Sequence, residues 1–329
     1  MKINRVRLTN FLAFTGDTVE VNFDDGINVF IGANGTGKTT LLKSIYAACE
    51  FSKQTTHADK AKKFSDYFSA SKSAIKDINQ KQNDNDFGLI QVFSGENEFH
   101  YRAWDDTLML SNWFKLGINS VLIPSRDMLS HSNGLIAMSS KYGVPFDYTL
   151  IDILINAQVW ETKTISDKNR LLLSKIGQVI DGEVIYEDDT FFIQKSNGLK
   201  VEFSLEADGL KRFGLLWKLI RNGLLESGSI LLWDEPEASI NPELIPVLVE
   251  VIIELSKQGI QIFLATHDYN LIKYFSIFKK SYTQIAFFNF YKTDSGIACE
   301  SADDYDLLER NAIIDAEIKL LEDDLKGAL

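Results

Sequence analysis

The segment Gly32-Ala33-Asn34-Gly35-Thr36-Gly37-Lys38-Thr39 fits the pattern G-x-x-x-x-G-K-[ST] in full. Glycines in such a segment let the backbone curl until successive N–H groups face a common point. The start of a following helix adds partial positive charge, so the whole cradles a phosphate chain. Lys38 is placed to reach β- and γ-phosphates and the Thr39 hydroxyl to ligate Mg²⁺, with Asn34, Gly35, Thr36, Gly37 and Thr40 completing the phosphate cradle. A second cluster, Asp234-Glu235, follows the apolar run Ile230-Leu231-Leu232-Trp233, which delivers both carboxylates to the C-terminal edge of a strand. Asp234 can hold the metal, usually through water, and Glu235 can orient or deprotonate a water attacking the γ-phosphate. Alone, such a pair reads as a solvated turn; beside a complete phosphate loop it reads as chemistry. His267 lies 33 residues after Asp234, at the end of the next apolar strand, where it would donate to the γ-phosphate. The expected catalytic groups are therefore Lys38, Glu235 and His267, and the expected metal-holding residues Thr39 and Asp234.

These residues need elements to carry them. Val6 and Leu8, then Val19, Val21 and Phe23, alternate as a hairpin, and Ile27 to Ile31 form a buried strand that feeds the glycine loop and a helix from Thr40 to Phe51. Gln54 to Asp86 is polar, with an apolar stripe that includes Phe64, Tyr67 and Phe68, and reads as a solvated helical insertion. Phe87 to Trp104 reads as a hairpin and Val121-Leu122-Ile123 as a strand stopped by Pro124. Tyr148 to Trp160 has a helical pattern, and Val184 to Phe203 alternates like a pair of strands turning at Ser196-Asn197-Gly198. The spacing predicts helices over Leu210 to Leu225 and from Pro242 to about Lys257, with a buried strand over Ile260 to Ala265. Strand alternating with helix implies an α/β fold with a mixed, largely parallel sheet. The expected organisation is a first core part at 1–126 containing the insertion 54–86, a lid-like insertion at 127–205, a second core part at 206–299 and an acidic amphipathic helix at 300–329.

The 329 residues are 45% hydrophobic and 24% charged, which excludes disordered, collagen-like and disulfide-built classes. Cys49 and Cys299 match no metal-ligand spacing and fit a reduced, cytoplasmic protein. The richest apolar run, Leu244 to Leu255, is broken by Glu250 and Glu254, so no membrane association is expected. The net charge of −12 argues against a general nucleic-acid coat, although a local basic groove stays open. From Glu300 onward ten acids face three bases, more than half the net excess. In that stretch acids alternate with Leu307, Ile313, Ile314, Ile318, Leu321 and Leu325 as on a docking helix rather than a metal site.

The glycine loop, Trp233-Asp234-Glu235-Pro236-Glu237-Ala238-Ser239-Ile240-Asn241-Pro242 and Ala265-Thr266-His267-Asp268 together resemble the ABC-type ATPases of the RecF/SMC branch. The opening Val6-Arg7-Leu8-Thr9-Asn10-Phe11 and the run Val121 to Arg126 are similar to that branch as well, and the likeness covers residues 1 to about 51 and 204 to about 290. The glutamate-proline-glutamate and asparagine-proline segment is most similar to stand-alone, OLD-like members, many of them from bacterial anti-phage defence systems. The resemblance implies a P-loop ABC-type core with an inserted helical lid, and ATP held between two copies as a sandwich dimer or within a higher homo-oligomer. It also implies a separate effector protein, such as a nuclease or toxin, with RecF-like DNA repair as the alternative. The family's signature segment falls on Ala207-Asp208-Gly209-Leu210-Lys211-Arg212, where Gly209 and Lys211 would contact the nucleotide. Ala207 and Asp208 stand where the family has serine and glycine, so one hydroxyl donor is absent and a carboxylate is placed near a polyanion.

Overall fold

The computed structural model describes residues 1–53, 63–68, 88–103, 107–109, 112–142, 146–282 and 284–327. Most of the insertion expected at 54–86 lies outside them. The chain opens with β1 (Arg5–Thr9) and β2 (Val19–Asn22), then β3 (Ile27–Gly32), which runs through the glycine loop into α1 (Lys38–Phe51). Strands β4 (Leu89–Ser94), β5 (Asn97–Arg102) and β6 (Thr107–Met109) join β1 and β2 in an antiparallel sheet ordered β2-β1-β4-β5-β6. Strand β7 (Ser120–Ile123) is followed by helices α2 (Leu135–Tyr142), α3 (Tyr148–Gln158) and α4 (Asp167–Ile180) and by the small antiparallel sheet β8 (Gly182–Glu187), β9 (Thr190–Lys195) and β10 (Lys200–Glu202). The remaining elements are α5 (Asp208–Arg221), β11 (Ile230–Asp234), α6 (Ile245–Lys257), β12 (Gln261–Ala265), α7 (Tyr269–Lys279), β13 (Ile285–Thr293), β14 (Gly296–Ala302) and α8 (Ala312–Lys326).

The central sheet is ordered β14-β13-β3-β12-β11-β7, parallel throughout except for the edge strand β14. Every residue of β3, β11 and β12 is buried, as expected for parallel strands covered on both faces. Alternation then assigns side chains to two cores. Val29, Ile31, Leu231, Trp233, Ile262 and Leu264 face the layer of α3 to α7 and the β8–β10 sheet. Phe30, Leu232, Phe263 and Ala265 face α1 and the β1–β6 sheet. The buried Gln261 amide ties the N-terminus to this sheet, accepting from Ile3 N and donating to the carbonyls of Ile3 and Asp24, each at 2.8 Å.

Residues 127–205, expected as a lid-like insertion, contribute Leu154, Leu172, Ile176, Val184, Phe191 and Phe203 to the same continuous core as the central strands. The stretch expected as a strand pair at 184–203 forms three strands, because a further tight turn sits at Asp188-Asp189, both with positive φ (49° and 59°). At the acidic end, 300–302 complete β14 and the helix starts only after its cap, Asn311, whose side chain accepts from Ile313 N and Ile314 N. No helix among the described residues is long and apolar enough to cross a membrane.

Candidate active site

Parallel register brings the chemistry to one edge. Asp234 of β11 is level with Ala265 of β12, and Ala265 with Phe30 of β3. The glycine loop, the Asp-Glu pair and His267 thus leave neighbouring strands at the same height, the usual place for ligands in open α/β sheets. The loop itself is dictated by glycine: Gly37 precedes α1 with φ 91°, and a Cβ there would stand 2.6 Å from the Phe14 ring packed beneath it. Thr36 is buried and spends its hydroxyl on the Ala33 carbonyl at 2.9 Å, leaving only its backbone N–H for a ligand. Asn34 and Gly35 are exposed at the tip, and Thr40 is half-buried in the first turn of α1.

Lys38 folds over its own loop, donating to the carbonyls of Gly32 at 2.6 Å and Ala33 at 3.1 Å. Burial lowers its pKa, opposed by the carboxylates of Asp234, Glu235 and Glu237. Thr39 Oγ1 donates to both oxygens of Asp234, at 3.2 and 3.0 Å. Burial raises the Asp234 pKa, and the Thr39 hydrogen bond works against that rise. Glu235 has φ 50°, a strained value for a side-chain-bearing residue, and its N–H is pinned to the Ala265 carbonyl at 2.8 Å. His267 Nδ1 stands 3.4 Å from Glu235 Oε1, with both side chains reaching solvent.

A cleft of about 310 Å³ runs beside these groups, lined among others by Thr39, Lys43, Ser125, Asp147, Asp234 and Glu235. Lys43, one helical turn beyond Thr39, pairs with Asp147 at 2.8 Å, and Asp147 caps α3 by accepting from Thr149 N. Sequence reasoning missed this pair, although the four-residue spacing from Thr39 places Lys43 on the same helix face. Arg212 ends the signature segment identified in the sequence. It is buried, donates to Pro124 O at 3.0 Å and to Ser125 O, and so ties α5 to the wall of the cleft. Burial lowers its pKa, opposed by Asp127, Glu237 and Glu235.

The expected nucleotide contacts Gly209 and Lys211 sit elsewhere on α5. Gly209 packs so closely on the Ser239-Ile240 backbone that a Cβ would lie 2.6 Å from Ser239 O. Lys211 is buried, and its ammonium is committed to Asp208 at 3.0 Å, Asp127 at 3.7 Å and Ser204 O at 3.4 Å. The structure therefore gathers Lys38, Thr39, Asp234, Glu235 and His267 at one edge and places Gly209 and Lys211 in their own packed cluster.

Two oxygen-bearing side chains, Thr39 and Asp234, meet beside the phosphate loop, and no group of three or more His, Cys, Asp or Glu among the described residues could hold a metal. That donor set suits Mg²⁺ shared with substrate phosphates and water rather than an all-protein metal cage.

Residues 5–178 match the family model described as "AAA domain", and residues 117–273 match "AAA domain, putative AbiEii toxin, Type IV TA system". Among curated proteins, the DNA replication and repair protein RecF of Macrococcus caseolyticus is 40% identical over 60 residues, 18% of this chain and 16% of that protein. RecF of Oceanobacillus iheyensis is 48% identical over 46 residues, 14% of this chain and 12% of that protein. The likeness thus spans about a sixth or less of the length of these relatives. Among solved structures, an Smc head bound to the C-terminal winged-helix domain of ScpA superposes with a TM-score of 0.59 at 13% identity, covering 92% of this chain and 98% of that one. The SMC head domain from Thermotoga maritima gives a TM-score of 0.51 at 13% identity, covering 92% and 99%. At such identities these superpositions establish the fold. With the phosphate loop, the Asp-Glu strand end and the matched family model all on one scaffold, the chain belongs to the AAA domain family: a P-loop ATPase that has the fold of the SMC heads and a segmental likeness to RecF.

Proposed function

We propose that this ATPase is a nucleotide-driven switch: two copies close around Mg-ATP, hydrolysis opens them, and the cycle controls a separate effector protein, a nuclease or toxin, in anti-phage defence. The observation that carries the reading is the meeting of Thr39 with Asp234 and of His267 with Glu235 at one sheet edge. Thr39 and Asp234 would hold Mg²⁺, which when bound neutralises charge on the β- and γ-phosphates. Lys38 leaves the Gly32 and Ala33 carbonyls for phosphate oxygens, exchanging neutral acceptors for charged ones. Glu235 accepts a proton from the attacking water, and His267 beside it donates to the γ-phosphate. The N-terminus of α5, where Ala207 provides no side-chain cap, offers backbone N–H groups to the nucleotide of a second copy. Differential affinity of ATP for the closed state supplies the switching energy. The description of the model over residues 117–273, a putative AbiEii toxin, supports the defence role.

Glu235→Gln is expected to bind ATP without turnover and to double its solution mass on addition of Mg-ATP. Light scattering that shows the same mass with and without nucleotide counts against the switch. A second reading, RecF-type ATP-gated DNA binding, is favoured by the segmental identity with RecF and weakened by the net charge of −12. It requires ATP-dependent, salt-sensitive retention on duplex DNA.

A further inference from the structure

Glu237 lies two residues beyond Glu235, is 8% exposed, and takes no part in the hydrolytic steps above. Its Oε1 accepts from the Thr266 hydroxyl at 2.7 Å, while its Oε2 has no hydrogen-bond partner among the described residues. The same Thr266 oxygen accepts from Asp268 N at 3.0 Å, and the Asp268 side chain caps α7 by accepting from Leu271 N at 2.7 Å. His267 is the residue between these two anchors, and its ring faces Glu235. Thr266 N is held by the Phe30 carbonyl at 2.9 Å, so the turn is fixed by its backbone on one side and by Glu237 on the other. A buried carboxyl with one oxygen unsatisfied is costly and calls for a compensating role. Here it bridges the segment after β11, which carries Glu235, to the turn after β12, which carries His267.

We propose that Glu237 is a positioning residue for ATP hydrolysis: through Thr266 it locks the 266–268 turn so that His267 faces Glu235. The proposal rests on the assignment of Glu235 and His267 made above. Among the charged groups of the described residues, Asp268 and Glu235 act on the Glu237 carboxyl as like charges, and Arg212 and Lys38 interact with it as opposite charges. The locking bond needs an acceptor at Oε1 and not a charge, so glutamine serves as well as glutamate.

The test is steady-state ATP hydrolysis by the full chain. Glu237→Ala and Thr266→Val are expected to lower kcat by roughly 10- to 100-fold with the ATP KM within about twofold, as a small misplacement of a group that acts in the transition state does. Glu237→Gln and Thr266→Ser should stay within about threefold of the parent. In a His267→Ala background, Glu237→Ala should cost nothing further, because both changes disable the same group. Equal losses for Glu237→Gln and Glu237→Ala overturn the proposal, as does a full additional loss on His267→Ala or a raised KM with kcat intact. If the parent chain hydrolyses no ATP, the functional reading itself fails, and the positioning claim is judged by NMR of the chain's four ¹³C-labelled histidines. The His267 ring resonance should move in Glu237→Ala and Thr266→Val and stay in place in Glu237→Gln; a resonance indifferent to all three refutes the lock.

Discussion

Strain and burial concentrate on a few residues at the sheet edge. Glu235 occupies a left-handed backbone conformation that costs about 1–3 kcal/mol, held by its bond to Ala265 and by the turn in which Ala238 N donates to Glu235 O at 3.1 Å. That geometry swings the side chain out of the strand line toward His267. Glu237 shows a different tension: burial first, then Asp268 and Glu235, push its pKa from 4.5 up to about 7, against the pull of the Thr266 hydrogen bond. Between those two values the folded chain holds a proton that the unfolded chain has released, so this group's contribution to stability is greatest at low pH and declines until about pH 7. Glu237→Gln removes the dependence. Its unfolding free energy relative to the parent is expected to rise by roughly 3 kcal/mol between pH 4.5 and 7.5, then level off, as read by urea denaturation across pH. A difference flat with pH would place the Glu237 carboxyl in its ordinary range.

At the scale of elements, the parallel strands were readable because burial on both faces leaves β3, β11 and β12 uniformly apolar, and the phosphate loop because its glycines have no substitute. The β8–β9 hairpin was not, since Asp188-Asp189 carries none of the glycine or asparagine that normally signals paired positive-φ positions. That mismatch is itself a prediction. Replacing Asp188-Asp189 by Asn-Gly relieves the left-handed strain and is expected to stabilise the chain by about 0.5–1 kcal/mol, seen as a higher Tm with unchanged hydrolysis. No gain would mean that the aspartate side chains compensate locally, as the bond from Tyr186 to Asp189 at 3.0 Å would allow. The acidic end shows the opposite failing: its apolar period was evident, but residues up to 310 are drawn into β14 pairing and the buried Tyr305 and Leu308, and helix begins only where Asn311 can cap it.

For the whole molecule the issue is closure on a second copy. The exposed Asp208 sits at the first turn of α5, where a sandwich would bring a nucleotide, and Ala207 lacks a hydroxyl to offer. Ala207→Ser with Asp208→Gly is expected to lower the ATP concentration needed for dimerisation of Glu235→Gln by roughly 10-fold, the worth of one charge-assisted hydrogen bond. An unchanged midpoint would show that α5 is not the closing surface. The sequence alone determined the phosphate loop, the Asp-Glu strand end, His267 and the alternation that makes an α/β sheet, because each is a local pattern with a local physical cause. Only the tertiary structure decided that Thr39 meets Asp234 across 195 positions, that Lys43 pairs with Asp147, that Arg212 and Lys211 are buried in their own contacts, and that Glu237 reaches Thr266. Those contacts depend on parallel register between strands distant in the chain, and no periodicity within a single segment encodes the height at which one strand lies beside another.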